Sequence, residues 1–232
     1  MPESTTARVR SSTRPLSDGD LAELNQRFET ADASEIVSWA ADTFGGDLCV
    51  ASSMEDALLI DVVTRVAPGV DVVFVDTGFH FPETLATADR VGRRYPIELR
   101  IVSEDDDRIP DLWRTDTDAC CAKHKVAPFE RALGQYSAWM SGLRRVDSPE
   151  RADAPIVTRD SRGLVSIRPL ANWDDHAVDS YVAANDVVLN PLLFDGYPSI
   201  GCAPCTQRVA PGDDPRSGRW AGSSKTECGL NL

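Results

Sequence analysis

The chain has 232 residues, a length that suits one domain or one domain with an elaborated tail. Its formal net charge of −13 argues against a general DNA-binding surface, because neutralising phosphates requires a basic field. No segment approaches the ~20 consecutive apolar residues of a membrane span, and the N-terminus has no apolar core typical of a secretory signal. We therefore expect a cytoplasmic protein that binds neither nucleic acid nor membrane, with a disordered lead-in at residues 1–16.

Hydrophobic periodicity predicts helices and strands that alternate along the first half of the chain. Helices are predicted at 17–30, 34–44, 53–66 and 81–95, and strands at 47–52, 71–76 and 96–102. Such alternation is typical of an α/β protein with a Rossmann-like open sheet, mostly parallel, that carries helices on both faces.

The second half of the chain is less regular. The pattern predicts a helix at 119–133 that is interrupted near Pro128, and a helix at 173–186. Strands are predicted within 137–145, which ends in a glycine turn, at the end of 148–157 and at 163–170. Beyond residue 188, glycine and proline dominate, and long irregular segments are usually functional or disordered. We expect a nucleotide-binding domain over 17–200, with an irregular C-terminal extension, residues 201–232, packed on it.

Two polar junctions follow predicted strands at what would be one edge of the sheet. Ser52 and Ser53 lead from the first strand into a predicted helix, whose unpaired backbone N–H groups would face an anion. A plain serine N-cap is the alternative, and it is favoured when this stretch is taken alone. Asp76, Thr77 and Gly78 follow the second strand and could approach a base or ribose, although a simple turn explains them equally well.

Four of the six cysteines fall in two groups, an adjacent pair at Cys120 and Cys121 and a CxxC at Cys202 and Cys205. Four thiolates from two segments can close a metal site. Adjacent side chains on a helix point about 100° apart, which the separate corners of an iron–sulfur cubane accept better than one zinc ion does. A redox disulfide in the CxxC is a third alternative and leaves the adjacent pair unexplained. Cys49 lies in an apolar strand and is predicted to be core.

Cationic side chains are concentrated near these cysteines although the chain is acidic. They are Lys123, Lys125, Arg144, Arg145, Arg151, Arg216 and Arg219. Their density indicates an anionic ligand, phosphate or sulfate. For each one taken singly, pairing with neighbouring carboxylates on a solvated surface is the alternative.

Cys228 lies four residues before the last residue, in a small polar segment that has no need of a cysteine for packing. The cations nearby would favour its thiolate. The sequence therefore predicts a reactive thiol on a mobile tail.

With these motifs the sequence resembles the assimilatory adenylyl-sulfate (APS) reductases, the iron–sulfur branch of the sulfonucleotide reductases. The resemblance covers about residues 20–232. It is carried by ACCAKHKVAPFERAL, SAWMSGLRR, NPLLFDGYPSIGCAPCTQRVAPGDDPRSGRW and KTECGLNL, with VASSMED and VDTGFHFPET at the nucleotide-binding end. It implies a fold of the adenine-nucleotide α-hydrolase type.

The resemblance also implies a function for each group of residues. It implies a [4Fe–4S] cluster on Cys120, Cys121, Cys202 and Cys205. It implies that Cys228 attacks APS, releases AMP and carries an S-sulfo group, which reduced thioredoxin resolves to sulfite. The implied substrate-binding residues are Lys125 between cluster and substrate, Arg151, Arg216 and Arg219 at the phosphosulfate, and Ser52, Ser53, Glu55, Asp76, Thr77 and Gly78 at the nucleotide. The sequence does not determine the oligomeric state, and a homo-oligomer is one of the possibilities.

Three alternatives stay open at this point. The first is a reductase of 3′-phosphoadenylyl sulfate (PAPS), although such enzymes usually lack the four grouped cysteines. The second is an ATP-dependent sulfurtransferase, which requires an SGGxDS loop after the first strand, where this chain has ASSMED. The third is a zinc-stabilised nucleotide-binding module, which leaves Cys228 unexplained. One departure from the family is Asn231 in place of the usual histidine; it can hydrogen-bond but cannot carry a proton.

Overall fold

The computed structural model describes residues 15–104, 109–221, 225 and 227. The strands are β1 Leu48–Ser52, β2 Val70–Val75, β3 Ile97–Val102, β4 Ala138–Ser141, β5 Val157–Arg159 and β6 Val165–Ile167. Within these residues they form one sheet in the order β3-β2-β1-β4-β6-β5. All neighbouring strands are parallel except β5, which is antiparallel to β6. The predicted open, mostly parallel sheet is therefore confirmed.

The helices mostly lie where the periodicity predicted them. They are α1 Asp18–Phe28, α2 Ala33–Phe44, α3 Leu58–Thr64, α4 Pro82–Arg94, α5 Leu112–Thr115, α6 Thr117–Cys121, α7 Ala127–Leu133 and α8 Asp175–Asn185. Helix α1 begins with a capping box, in which the Ser17 hydroxyl accepts from the Asp20 N–H at 3.2 Å and the Asp20 carboxylate accepts from the Ser17 N–H at 2.7 Å. None of the helices described here is both long and apolar enough to cross a membrane.

Apolar side chains cover both faces of the sheet, because successive residues of a strand point to opposite sides. Val50 and Phe74 pack into a cluster with α1 to α4 on one face. Cys49, Val73 and Trp139 pack with residues of α7 on the other. The predictions of helices on both faces and of Cys49 in the core are both confirmed.

The strand order reverses between β1 and β4, which are paired so that Ala51 lies opposite Ser141. Ligands of open α/β sheets bind outside the carboxyl ends of the strands at such a reversal. Strand β4 ends at Ser141, directly before Gly142, as expected for a strand that ends in a glycine turn. Arg144 and Arg145 lie in the loop beyond this edge, where they were predicted to follow the strand.

The connection from β1 to α3 corrects the prediction that a helix begins directly at Ser53. Met54 has a φ of +59°, in the left-handed region that interrupts a helix. The Asp56 carboxylate accepts from the Leu58 N–H at 2.8 Å, and the helix begins at Leu58. The expectation that Ser52 and Ser53 lie at a helix N-terminus is therefore wrong; they lie at the end of the strand and in the loop after it.

The predicted interruption near Pro128 takes the form of a wide helical turn. Helix α6 passes through one π-helical turn at Ala122–Val126 and continues as α7. Proline has no N–H to donate, so a helix adjusts its hydrogen bonding ahead of it. Such turns often occur at functional sites, and this one lies between the Cys120–Cys121 pair and the core helix α7.

Candidate active site

A cavity of about 720 Å³ opens at the carboxyl ends of β1 and β4, where the strand order reverses. The predicted substrate-binding residues that line it are Ser52, Ser53, Glu55, Lys125, Arg151, Arg216 and Arg219. They come from stretches far apart in the sequence, and the fold brings them to one edge of the sheet. A cavity of this size is in the range of small-molecule sites, and the arginines make it suited to an anion.

Asp76, Thr77 and Gly78 are not among the residues that line this cavity. The Asp76 carboxylate accepts from the Gly78 N–H at 2.8 Å, and Gly78 has a φ of +72°, as a tight turn after β2 requires. The Thr77 hydroxyl lies 3.3 Å from the Cys202 sulfur instead. Their contact with a nucleotide stays a prediction.

Arg151 and Arg216 form a basic wall of the cavity, and they share one carboxylate. Arg151 donates from Nε and Nη2 to the two oxygens of Glu227 at 2.8 and 2.9 Å. Arg216 Nη2 lies 3.3 Å from Glu227 Oε1. Burial lowers the pKa of Arg216, and the neighbouring Arg151 and Arg219 lower it further. The wall is thus a partly desolvated cationic cluster, in which anions are bound more strongly than in open solvent.

Arg219 is fixed in place by its surroundings. Its Nη1 donates to the Ser199 hydroxyl and to the Ile200 carbonyl, both at 3.2 Å. The guanidinium lies 4.6 Å from the centre of the Trp220 ring. A side chain at Gly201 would overlap the guanidinium, so a larger residue there would displace it from this position. The orientation of Arg219 is therefore set before any ligand binds.

Glu55 joins the end of β1 to the loop at 198–201. Its carboxylate accepts from the Ile200 N–H at 2.8 Å. Burial raises the pKa of Glu55 to about 7, and the charge of Asp56 contributes to the rise. Near neutral pH this carboxyl group is poised between its charged and neutral forms at the cavity wall.

The four grouped cysteines line a second, smaller cavity. The CxxC segment reaches it by pairing with the loop after β2: the Ala203 N–H donates to the Phe79 carbonyl at 2.7 Å, and His80 forms a β-bridge with Cys202. The two cysteine segments, well separated in the sequence, therefore meet as the prediction of one four-cysteine site requires.

These thiols influence one another electrostatically. Burial raises the pKa of Cys120 to about 12, and the neighbouring Cys121, Cys202 and Cys205 add to the rise. Burial also raises the pKa of Cys205 to about 11. In the part of the chain described, no group of three or more Cys, His, Asp or Glu side chains could hold a single metal ion as placed.

The two cavities adjoin. Lys125, Arg219 and Trp220 line both of them. Lys125 and Arg219 thus stand between the cysteines and the open cavity, and a role of Lys125 between a cluster and a substrate stays a prediction.

Among the polar residues of the cavity wall that no sequence motif indicated are Ser141 and Glu227. The Ser141 hydroxyl is buried and has no hydrogen-bond partner among the described residues. A polar residue at the end of a predicted strand was an available signal for it, although the glycine and arginines that follow were more conspicuous. Glu227 pairs with arginines distant in the sequence, and no local pattern predicts that pairing.

Cys228 and Asn231 lie outside the described residues. Of residues 222–227, which precede Cys228, the structure describes Lys225 and Glu227, and each has a definite contact. Lys225 pairs with Asp118 on α6. Glu227 contacts the arginines of the cavity wall. The sequence leading to the predicted nucleophile thus meets both the cysteine-bearing helix and the anion-binding wall.

Comparison with known proteins agrees with this architecture. Residues 47–208 match the family model of the phosphoadenosine phosphosulfate reductase domain. A protein named adenosine 5′-phosphosulfate reductase from Mycolicibacterium smegmatis is 48% identical over 93% of this chain and 96% of its own length. Its namesake from Streptomyces coelicolor is 50% identical over 89% of this chain and 91% of its own.

A solved structure is similar over most of the fold. The crystal structure of phosphoadenylyl-sulfate (PAPS) reductase from Candida auris, a phosphate complex, has a TM-score of 0.73 and 29% identity, covering 85% of this chain and 100% of that one. The resemblance found in the sequence motifs is confirmed: the chain belongs to the phosphoadenosine phosphosulfate reductase family.

Proposed function

We propose that this protein reduces adenosine 5′-phosphosulfate to sulfite and AMP, with Cys228 as nucleophile and reduced thioredoxin as reductant. The observation that carries the proposal is one cavity at the sheet reversal, which is lined by Ser52, Ser53 and the predicted anion-binding residues Arg151, Arg216 and Arg219 and which adjoins the four-cysteine cavity. The names of the bacterial relatives, which are about half identical over nearly their whole length, support the same substrate.

The first chemical step is an attack by the Cys228 thiolate on the sulfur of the substrate. A sulfur–sulfur bond forms, the bond from sulfur to the bridging oxygen breaks, and AMP leaves with the electron pair. The enzyme then carries an S-sulfocysteine, so that one difficult step is divided in two. Arg151, Arg216 and Arg219 neutralise phosphate and sulfate charges that would otherwise repel a thiolate.

The second step is thiol exchange with a protein dithiol. A thiolate of reduced thioredoxin attacks the sulfur of Cys228, and sulfite leaves with the electron pair of the broken sulfur–sulfur bond. The second thioredoxin thiol then frees Cys228, and thioredoxin becomes a disulfide. Its two electrons account for the reduction of the transferred sulfur. A cytoplasmic location belongs to this proposal, because there thiols are kept reduced.

We assign a [4Fe–4S] cluster to Cys120, Cys121, Cys202 and Cys205. The fit rests on the donor set, since four thiols from two segments line one cavity. Zinc fits less well, because Cys120 and Cys121 are adjacent on α6 and neighbouring side chains of a helix point about 100° apart, whereas zinc needs its ligands around one ion. The Thr77 hydroxyl beside the Cys202 sulfur is the kind of neighbour that tunes such a group. When bound, the cluster supplies a structural and electrostatic centre beside Lys125.

The proposal predicts a preference for adenosine 5′-phosphosulfate over its 3′-phosphorylated form. The grouped cysteines motivate it, because they are typical of the branch that uses the unphosphorylated substrate. We expect kcat/KM to be greater for the former by on the order of tenfold, about 1.4 kcal/mol, in sulfite release with both substrates competing. An equal or greater kcat/KM for the 3′-phosphorylated form would favour the PAPS reductase alternative.

A second prediction concerns Ser141, whose buried hydroxyl faces the cavity without a partner in the described structure. We expect it to hydrogen-bond the nucleotide. Ser141→Ala should weaken AMP binding by about five- to tenfold, as the loss of one hydrogen bond does, with little change in stability. Isothermal titration calorimetry measures the binding, and urea unfolding measures the stability.

Ser166→Ala is the matched control for that experiment. Ser166 is also buried with an unpartnered hydroxyl in the described structure, but it lies on β6 and does not line the cavity. Its removal should leave the Kd of AMP unchanged. Equal Kd values in the two variants would mean that Ser141 does not touch the nucleotide.

A further inference from the structure

The carboxylate of Glu227 occupies the anion-binding face of the cavity wall. It accepts two parallel bonds from Arg151, at 2.8 and 2.9 Å, and lies 3.3 Å from Arg216. The side chain of Arg151 is only 14% exposed, and those of Arg216 and Glu227 are each 17% exposed. This is a partly buried, two-pronged contact rather than a surface ion pair, so its formation and its loss both have measurable consequences.

A fork of this kind is the geometry with which arginine binds phosphate and sulfate oxygens. Glu227 therefore makes with Arg151 the contact that an anionic substrate would make. The edge of the Arg151 guanidinium formed by Nε and Nη2 can bind one such partner at a time. A phosphosulfate and Glu227 would compete for it.

A second contact attaches the same segment elsewhere. Lys225, two residues earlier, pairs with Asp118 on α6, the helix that bears Cys120 and Cys121. The Lys225 ammonium also lies 5.8 Å from the centre of the Trp220 ring. These contacts do not involve the arginine wall. If Glu227 releases the arginines, Lys225 can keep its contact with Asp118.

We propose that Glu227 is a positioning residue that holds Arg151 and Arg216 until the sulfonucleotide anion takes them over. Substrate binding then frees the Glu227 carboxylate from both guanidinium groups. The inference rests on the proposed function, because it identifies the displacing anion as the phosphosulfate group. It assigns Glu227 an opposing role in binding, since its contact with the arginines has to be broken before the substrate can bind.

The test is the affinity of adenosine 5′-phosphosulfate in a protein that cannot turn it over. Titration calorimetry compares Cys228→Ser with the double variant that also carries Glu227→Gln, a change that removes the charge and keeps the shape. Removing the competitor should lower the Kd by on the order of five- to tenfold. Glu227→Asp, which keeps the charge, should return the Kd toward that of the parent.

Glu150→Gln provides the matched control. Glu150 is exposed, and its pKa is lowered mainly by hydrogen bonds close to it in sequence, with the arginines contributing less. If the Kd responds to Glu227 only through net charge, Glu150→Gln will lower it equally, and the exchange is then wrong. An unchanged or higher Kd in Glu227→Gln also overturns it. Failure of the proposed function is distinguishable, because the parent itself would then show no binding of this nucleotide.

In the protein with Cys228 intact, the same substitution separates two kinetic constants. Glu227→Gln should lower KM, because the substrate no longer displaces a carboxylate. It should not raise kcat, because the bound substrate has already displaced Glu227. The step from the bound substrate to the transition state is therefore the same in both proteins. A merely structural role for Glu227 would raise KM or lower kcat without lowering KM, and either result contradicts the exchange.

Discussion

Cys228→Ser stops the release of sulfite from adenosine 5′-phosphosulfate, lowering kcat by on the order of 10⁴-fold or more. The reason is chemical: a serine hydroxyl is a far poorer nucleophile than a thiolate at neutral pH and cannot form the S-sulfo intermediate. Binding of the nucleotide should persist, because the lining of the cavity is unchanged. The assay follows sulfite with reduced thioredoxin in excess, and calorimetry follows binding.

Cys49→Ala is the control for that substitution. Cys49 is fully buried on β1, where it packs with residues of α7 and does not line the cavity, so its removal should preserve turnover. The small void should lower the free energy of unfolding by about 1–2 kcal/mol. Turnover at the wild-type rate in Cys228→Ser, or its loss in a folded Cys49→Ala protein, would mean that the nucleophile has been assigned to the wrong residue.

The second large effect is expected at the four-cysteine cavity. Cys120→Ser should reduce the iron and labile sulfide of anaerobically purified protein by about tenfold or more, because a neutral hydroxyl does not replace a thiolate ligand. Cys120 is 7% exposed, so no solvent ligand reaches its place easily. The midpoint of thermal unfolding should fall as well, since the binding free energy of a structural metal group contributes to folding.

Cys228→Ser serves as the control here, since it also removes one thiol and should retain full iron and sulfide. Elemental analysis that finds zinc with neither iron nor labile sulfide in the wild type would contradict the cluster. Unchanged iron in both Cys120→Ser and Cys205→Ser would contradict the assignment of its ligands.

Most of the fold was predictable from the sequence, because it depends on local periodicity. Apolar runs bounded by turn residues located β1, β2 and β3 within about one residue, and amphipathic spacing located α1, α2, α4 and α8 within about two. The start of α3 was not predictable in this way. It depends on the backbone of Met54 and on a bond from the Ala57 N–H to the Val188 carbonyl, a residue distant in the sequence.

The site was predictable where residue type alone limits the chemistry. Grouped cysteines indicate a metal site and clustered arginines in an acidic chain indicate an anion site, and the fold brings each group to a cavity. The partners of those arginines were not predictable. Glu227 lies 76 residues from Arg151 in the sequence, and such a pairing follows from tertiary packing rather than from spacing. Residue type did not decide the role of Asp76. In the structure its carboxylate accepts a hydrogen bond from the Gly78 N–H within a turn.

The most direct measurement is mass spectrometry of anaerobically purified protein mixed with adenosine 5′-phosphosulfate in the absence of thioredoxin. We expect one added sulfonate per chain, on the peptide that contains Cys228, and its removal with release of sulfite when reduced thioredoxin is added. An adduct on Cys49 or on one of the four grouped cysteines, or no adduct on a protein that nevertheless releases sulfite, would contradict this expectation.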